Sequence, residues 1–159
     1  MSRSARNTIG VVCIGLISLV EIGLGIVYFT SPTVMPYHQE ALGVDWARLE
    51  PGVRTMLVTL VNGYGSTHFA VGVALGVLLF FPLRRGERWA RWAALAIGFP
   101  VLAATAHLSA RLALATGAGV PWFGAVVLLL LFILGVALVQ PRAAAEQGVA
   151  ADAPPAKRV

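Results

Sequence analysis

Three features of the sequence predict an all-α fold, a four-transmembrane-helix bundle with a short amphipathic helix in its first outer loop. First, of 159 residues 58% are hydrophobic and only 12% are charged, at a mean hydropathy of +0.80. A soluble domain is about 45–50% apolar and about 25% charged, so this chain has too little polar surface to cover a water-soluble globule. Second, the apolar residues run continuously through four long segments and do not alternate with a period of two, which selects helices over barrel strands. Third, the basic residues gather between and beyond those segments, mostly on one side. The same composition excludes disordered and collagen-like chains, and with Cys13 as the only cysteine it excludes a disulfide scaffold. The length allows one domain, residues 1–140, and the tail 141–159, rich in Ala, Pro and charge, reads as disordered and cytoplasmic.

A helix needs about 20 apolar residues to cross roughly 30 Å of hydrocarbon. The first span, about 9–30, is interrupted only by Glu21. Arg3 and Arg6 ahead of it would suit a signal peptide, but the apolar run exceeds the usual 7–15 or so residues and no A-x-A site follows Phe29. It is read as a retained helix. In the outer loop that follows, Pro36 stands where a first helical residue would, and Gly43 where a C-cap would, which predicts the short surface helix. Asp45 is placed to cap a second turn through Trp46 and Arg48. Pro51 and Gly52 open the second span, about 53–81; the third, about 92–115, carries Pro100, His107 and Arg111; the fourth, about 120–139, has no charge.

Orientation follows from the basic residues in the short flanks. Arg3, Arg6, Arg84, Arg85, Arg88, Arg91, Arg142, Lys157 and Arg158 fall on one side, and only Arg48 and Arg54 on the other. Both termini are therefore expected in the cytoplasm, with the chain in a bacterial inner membrane. Trp89 and Trp92 mark the inner interface; Tyr28, Phe29 and Trp122 mark the outer one. The net charge of +5 is accounted for by topology and attraction to anionic lipid, so it does not point to nucleic acid. The expected partners are the lipid bilayer and, beyond it, another membrane protein or a second copy of the chain.

Ionisable residues inside a membrane cost about 2.5–3.5 kcal/mol each on insertion scales and mark candidate sites. Counted from the inner ends of their spans, Glu21, His68 and His107 lie about 13, 15 and 16 residues in, or roughly 20–24 Å. An acid and two imidazoles thus share one depth, with Arg111 one turn beyond His107 and Asn62 further out. Each lies on a face with small residues: Glu21 with Ser18 and Gly25, His68 with Gly65 and Gly72, His107 and Arg111 with Ala103 and Ala104. Small residues mark close helix contacts in membranes, so the four are expected to converge inward. Four readings of Glu21, His68, His107 and Arg111 stay open. They form a structural ion-pair network, a proton-linked pocket or small-solute pathway, a metal or haem site held by His68 and His107 with Glu21, or an enzyme site acting on a lipid or quinone. No motif pairs a nucleophile with its base, so no catalytic residue is assigned. In the outer loop Tyr37, His38, Glu40 and Asp45 can contribute to a lid or bind an external ion, against the alternative of a solvated interfacial loop. Their spacing matches no strong metal signature.

In layout the chain resembles the small four-helix bacterial membrane proteins of the DoxX-like and related uncharacterised families. It shares an acid in the first span, a long first outer loop, and the basic turn Gly86-Glu87-Arg88-Trp89-Ala90-Arg91-Trp92 before the third span. The resemblance covers most of residues 8–140. It implies the fold and a membrane location, and the expectation of an accessory or ligand-binding component; it assigns no role to either histidine.

Overall fold

The computed structural model describes residues 2–139; the tail 141–159 lies outside the described residues. Among the described residues the structure is all-helical, with five α-helices and no strand. Helix α1 (Arg3–Thr30) begins earlier than its apolar run because Ser2 caps it, the hydroxyl accepting a hydrogen bond from Ala5 N at 3.2 Å. The loop helix α2 (Pro36–Leu42) has the expected punctuation, Pro36 in its first turn and Gly43 closing it at φ 65°. The Asp45 carboxylate accepts from Ala47 N at 2.9 Å and caps a 3₁₀ turn over Trp46–Arg48.

Helix α3 (Pro51–Leu78) continues as a π-helical turn through Leu79–Leu83. Pro82 has no N–H to continue the α ladder, and the wider turn carries the chain past it before Gly86, at φ 77°, reverses direction. Helix α4 (Arg88–Thr116) takes up the basic turn itself, starting before residue 92, and ends on Gly117 at φ 72°. Helix α5 (Trp122–Leu138) is shorter than the fourth predicted segment. Val120 and Pro121 belong to a turn, and Val139 is extended, leaving 17 residues, or about 25 Å. Among the described residues three helices are long and apolar enough to cross a membrane: α1, α3 with its π turn, and α4. α5 is a shorter apolar helix beside them.

Helix α1 packs most extensively on α3 and also on α5, while α4 packs on α5 and less on α3. The α1–α3 seam depends on absent side chains. A methyl group added at Gly72 would lie 2.7 Å from Ile22 N, and at Gly25 or Gly65 it would strike the backbone of Phe69 or of Tyr28 and Phe29. Ser18 reinforces the seam, its buried hydroxyl donating to Gly72 O at 2.7 Å. On the other side the Phe132 ring fills the space beside Gly98, joining α4 to α5. The apolar core, including Ile14, Ile17, Leu75, Ala94, Leu102, Phe132 and Val136, fills the half of the bundle nearer the basic α3–α4 turn. The other half, beneath α2, holds the buried polar residues and a cavity.

Candidate functional site

Glu21 and His68 meet inside the bundle because the helix faces that carry them are the ones brought together by Gly25, Gly65 and Gly72. His68 Nδ1 lies 2.6 Å from Glu21 Oε2, and the two side chains are 1% and 0% exposed. An acid buried alone in hydrocarbon would be too costly, and an imidazole within hydrogen-bond distance removes most of that cost. Among the described residues Glu21 Oε1 has no hydrogen-bond partner.

On its far side the His68 ring faces two residues absent from the sequence-based cluster. Tyr64, one turn earlier on α3, packs edge-on against the imidazole with centroids 4.3 Å apart. Its hydroxyl donates to Thr105 Oγ1 at 2.7 Å, and Thr105 in turn donates to Val101 O at 2.8 Å. His68 Nε2 stands 3.4 Å from the same Thr105 oxygen. With its proton given to Val101, that oxygen faces Nε2 as an acceptor. One proton lies between Nδ1 and Glu21 Oε2, so the imidazole and the carboxyl satisfy one another inside the bundle.

Above this network lies a cavity of about 450 Å³. Its walls come from Leu24 and Tyr28 of α1, Leu60, Val61 and Tyr64 of α3, Thr105, Leu108, Ser109 and Leu112 of α4, and Gly124 and Ala125 of α5, with Tyr37 and His38 of α2 as a lid. The lid is held at two points. The Tyr28 and Tyr37 hydroxyls share a short hydrogen bond, and Glu40 Oε2 accepts from Gly119 N at 2.9 Å in the α4–α5 turn. Burial lowers the His38 pKa from its ordinary value, and burial with the Tyr28 contact raises that of Tyr37, so both are neutral at physiological pH. Asn62 ties α1 to α3 at the same end, its amide donating to Tyr28 O at 3.0 Å, Phe29 O at 2.5 Å and Ser31 O at 3.2 Å. Those carbonyls end α1 and have no helical partner of their own.

The chain matches no protein-family model, no curated protein and no solved structure.

The sequence-based cluster of four is corrected to a pair. His107 and Arg111 are exposed on the outward face of α4, where they border a shallow depression with Ala110, Leu114 and Ala115. The cause is the choice of face. α4 buries Ala90, Ala94, Gly98, Leu102 and Ala106, a run at a constant spacing of four, and not the Ala103 and Ala104 side. His107 follows Ala106 by one residue, or about 100° around the helix, and so turns away. A metal or haem held between His68 and His107 is not formed, and among the described residues no three or more His, Cys, Asp or Glu side chains converge. Of the loop candidates, Tyr37 and His38 line the cavity, Glu40 fastens the lid, and Asp45 caps its turn.

Proposed function

We propose that this chain is a four-helix integral membrane protein that binds a lipid-soluble small molecule in the cavity beneath α2, as a ligand-binding or accessory component of a bacterial inner membrane. In this reading α5 crosses with the others, its flanking turn residues reaching the interface, and the nine-to-two excess of basic residues puts both termini in the cytoplasm. The cavity then lies in the outer half of the bilayer. The layout shared with DoxX-like proteins supports the same architecture.

The cavity carries the functional reading. Its volume falls within the roughly 300–1,000 Å³ of small-molecule sites, and its walls are mostly apolar with a few hydroxyl groups that converge on one end. A bundle built only for packing would close such a space, since each void forfeits contacts. The test is photolabelling of the protein in liposomes with octanol carrying a diazirine, followed by peptide mapping. Saturable labelling of the α3 and α4 segments that line the cavity, abolished by Gly124→Leu, supports the reading. Labelling spread evenly over the outward faces and unchanged by Gly124→Leu overturns it.

A second reading rests on the buried Glu21–His68 pair, in which Glu21 Oε1 has no hydrogen-bond partner among the described residues. Such a pair suits proton-linked movement of a small solute, with protons exchanged at His68. It predicts that solute flux in liposomes follows an imposed pH gradient and that Glu21→Gln uncouples the two.

A further inference from the structure

Resting on the cavity reading above, we infer that the molecule bound there is uncharged and carries a hydroxyl group, which it presents to Tyr64 and Ser109. The hydrogen bonds already made inside the protein determine this. Tyr64 has given its proton to Thr105 Oγ1 at 2.7 Å, so its oxygen offers the cavity only lone pairs. Ser109 has given its proton to the carbonyls of Thr105 at 2.6 Å and Ala106 at 3.2 Å, so its oxygen also offers only lone pairs. Both residues line the cavity. On the α3 and α4 walls the cavity thus offers two acceptors, while the donors among its lining, the Tyr28–Tyr37 hydroxyl pair and the neutral His38 ring, stand at the lid; the group that satisfies Tyr64 and Ser109 is a donor.

Charge narrows the class. Among the described residues that line the cavity there is no Arg, Lys, Asp or Glu. The acid beneath it, Glu21, is already engaged by His68. Beside Tyr64 and Ser109 a carboxylate or phosphate head would face two acceptor oxygens with no cation. An ammonium head would find acceptors but no counter-charge. A plain alkane would leave both acceptors unsatisfied. An alcohol or phenol meets each condition, with its O–H directed at Tyr64 or Ser109 and its apolar body against Leu60, Val61 and Leu112.

The route to the site agrees. Leu60 on α3 and Leu108 on α4 both line the cavity and are 62% and 53% exposed, on two helices that pack more lightly on each other than α1 does on α3 or α4 on α5. The gap they flank faces the surroundings of the bundle, while α2 covers the end. A ligand that partitions into hydrocarbon reaches this gap, and an ion does not.

The experiment uses four diazirine probes of one chain length, octanol, octane, octanoate and octylammonium, on the full chain in liposomes. Labelling of the cavity peptides is read by mass spectrometry at matched membrane concentration. The expected result is that the octanol probe labels them about tenfold more than each of the others, the weight of one buried hydrogen bond. Tyr64→Phe and Ser109→Ala should each reduce that preference while the labelled peptides stay the same. Ser109→Ala removes one oxygen and spares the helix seams, so it reports even where Tyr64→Phe fails to fold. Equal labelling by octane and octanol, or stronger labelling by octanoate or octylammonium, overturns the hydroxyl inference and leaves the cavity reading standing. Absence of cavity labelling by all four overturns both.

Discussion

His68 Nδ1 and Glu21 Oε2 stand 2.6 Å apart with both side chains withdrawn from solvent, and among the described residues neither has another charged partner. Each therefore depends on the other for its tolerance in the interior. His68→Leu alone strands the acid, and Glu21→Leu alone strands the imidazole; each is expected to cost about 3–5 kcal/mol of stability. The double variant Glu21→Leu/His68→Leu removes both polar groups and leaves Tyr64 bonded to Thr105 and Thr105 to Val101, so it should recover most of that loss. Chemical unfolding in detergent measures all three. A double variant as unstable as the sum of the singles would show that the pair holds the fold through something other than mutual neutralisation.

The glycines that let the pair meet should be unequal under substitution. Gly65→Ala places a methyl against the backbone of Tyr28 and Phe29, neither of which can yield without moving α1. Gly23→Ala and Gly63→Ala meet nothing within 4 Å. The first is expected to destabilise by several kcal/mol, on the scale of other overpacked cores at about 1–3 kcal/mol or more. The other two are expected to be neutral or to gain up to about 1 kcal/mol from helix propensity. Thermal unfolding of the three variants checks the contrast, and equal losses would contradict the close α1–α3 seam.

The half of the site on α1 and α3 was legible in the sequence because its signals agree. Glu21 shares a face with Ile14, Ser18 and Gly25, and His68 with Gly65 and Gly72, and these are the faces that pack. On α4 two small-residue faces compete, and depth along a helix says nothing about direction around it. The run Ala90, Ala94, Gly98, Leu102, Ala106 was the signal that would have turned His107 outward. Thr105 escaped notice because its hydroxyl is satisfied locally by Val101, as threonines in helices commonly are. Asn62 caps α1 from more than thirty residues away, and the cavity lies between α3 and α4, which pack more lightly on each other than α1 does on α3 or α4 on α5. Neither of these is written in any one segment.

The lid should loosen in acid. His38 is half-buried, its Nδ1 has no hydrogen-bond partner among the described residues, and burial alone lowers its pKa below the ordinary 6.5. The folded state therefore favours the neutral ring. Its contribution is complete above about pH 6.5 and is lost as pH falls through the lowered value. Between pH 7.5 and 5 the wild-type melting temperature should fall by more than that of His38→Gln, which has no imidazole to protonate. Equal falls would assign the change to groups other than His38.

Arg111 and His107 decide between the sequence-based cluster and the one observed. Both side chains point away from the bundle. Arg111 lies five residues before the end of α4 at Thr116, about 7.5 Å, a distance its long side chain can cover to place the guanidinium among lipid headgroups. In that position neither residue supports Glu21. Arg111→Leu and His107→Leu should each change unfolding free energy by no more than about 0.5 kcal/mol, as outward substitutions do. A loss approaching that of His68→Leu would require α4 to turn by about 100° and bring His107 inward. That rotation would also carry Thr105 away from Tyr64 and open the hydrogen bond between them, so Thr105→Val would then be without effect in the His107→Leu background.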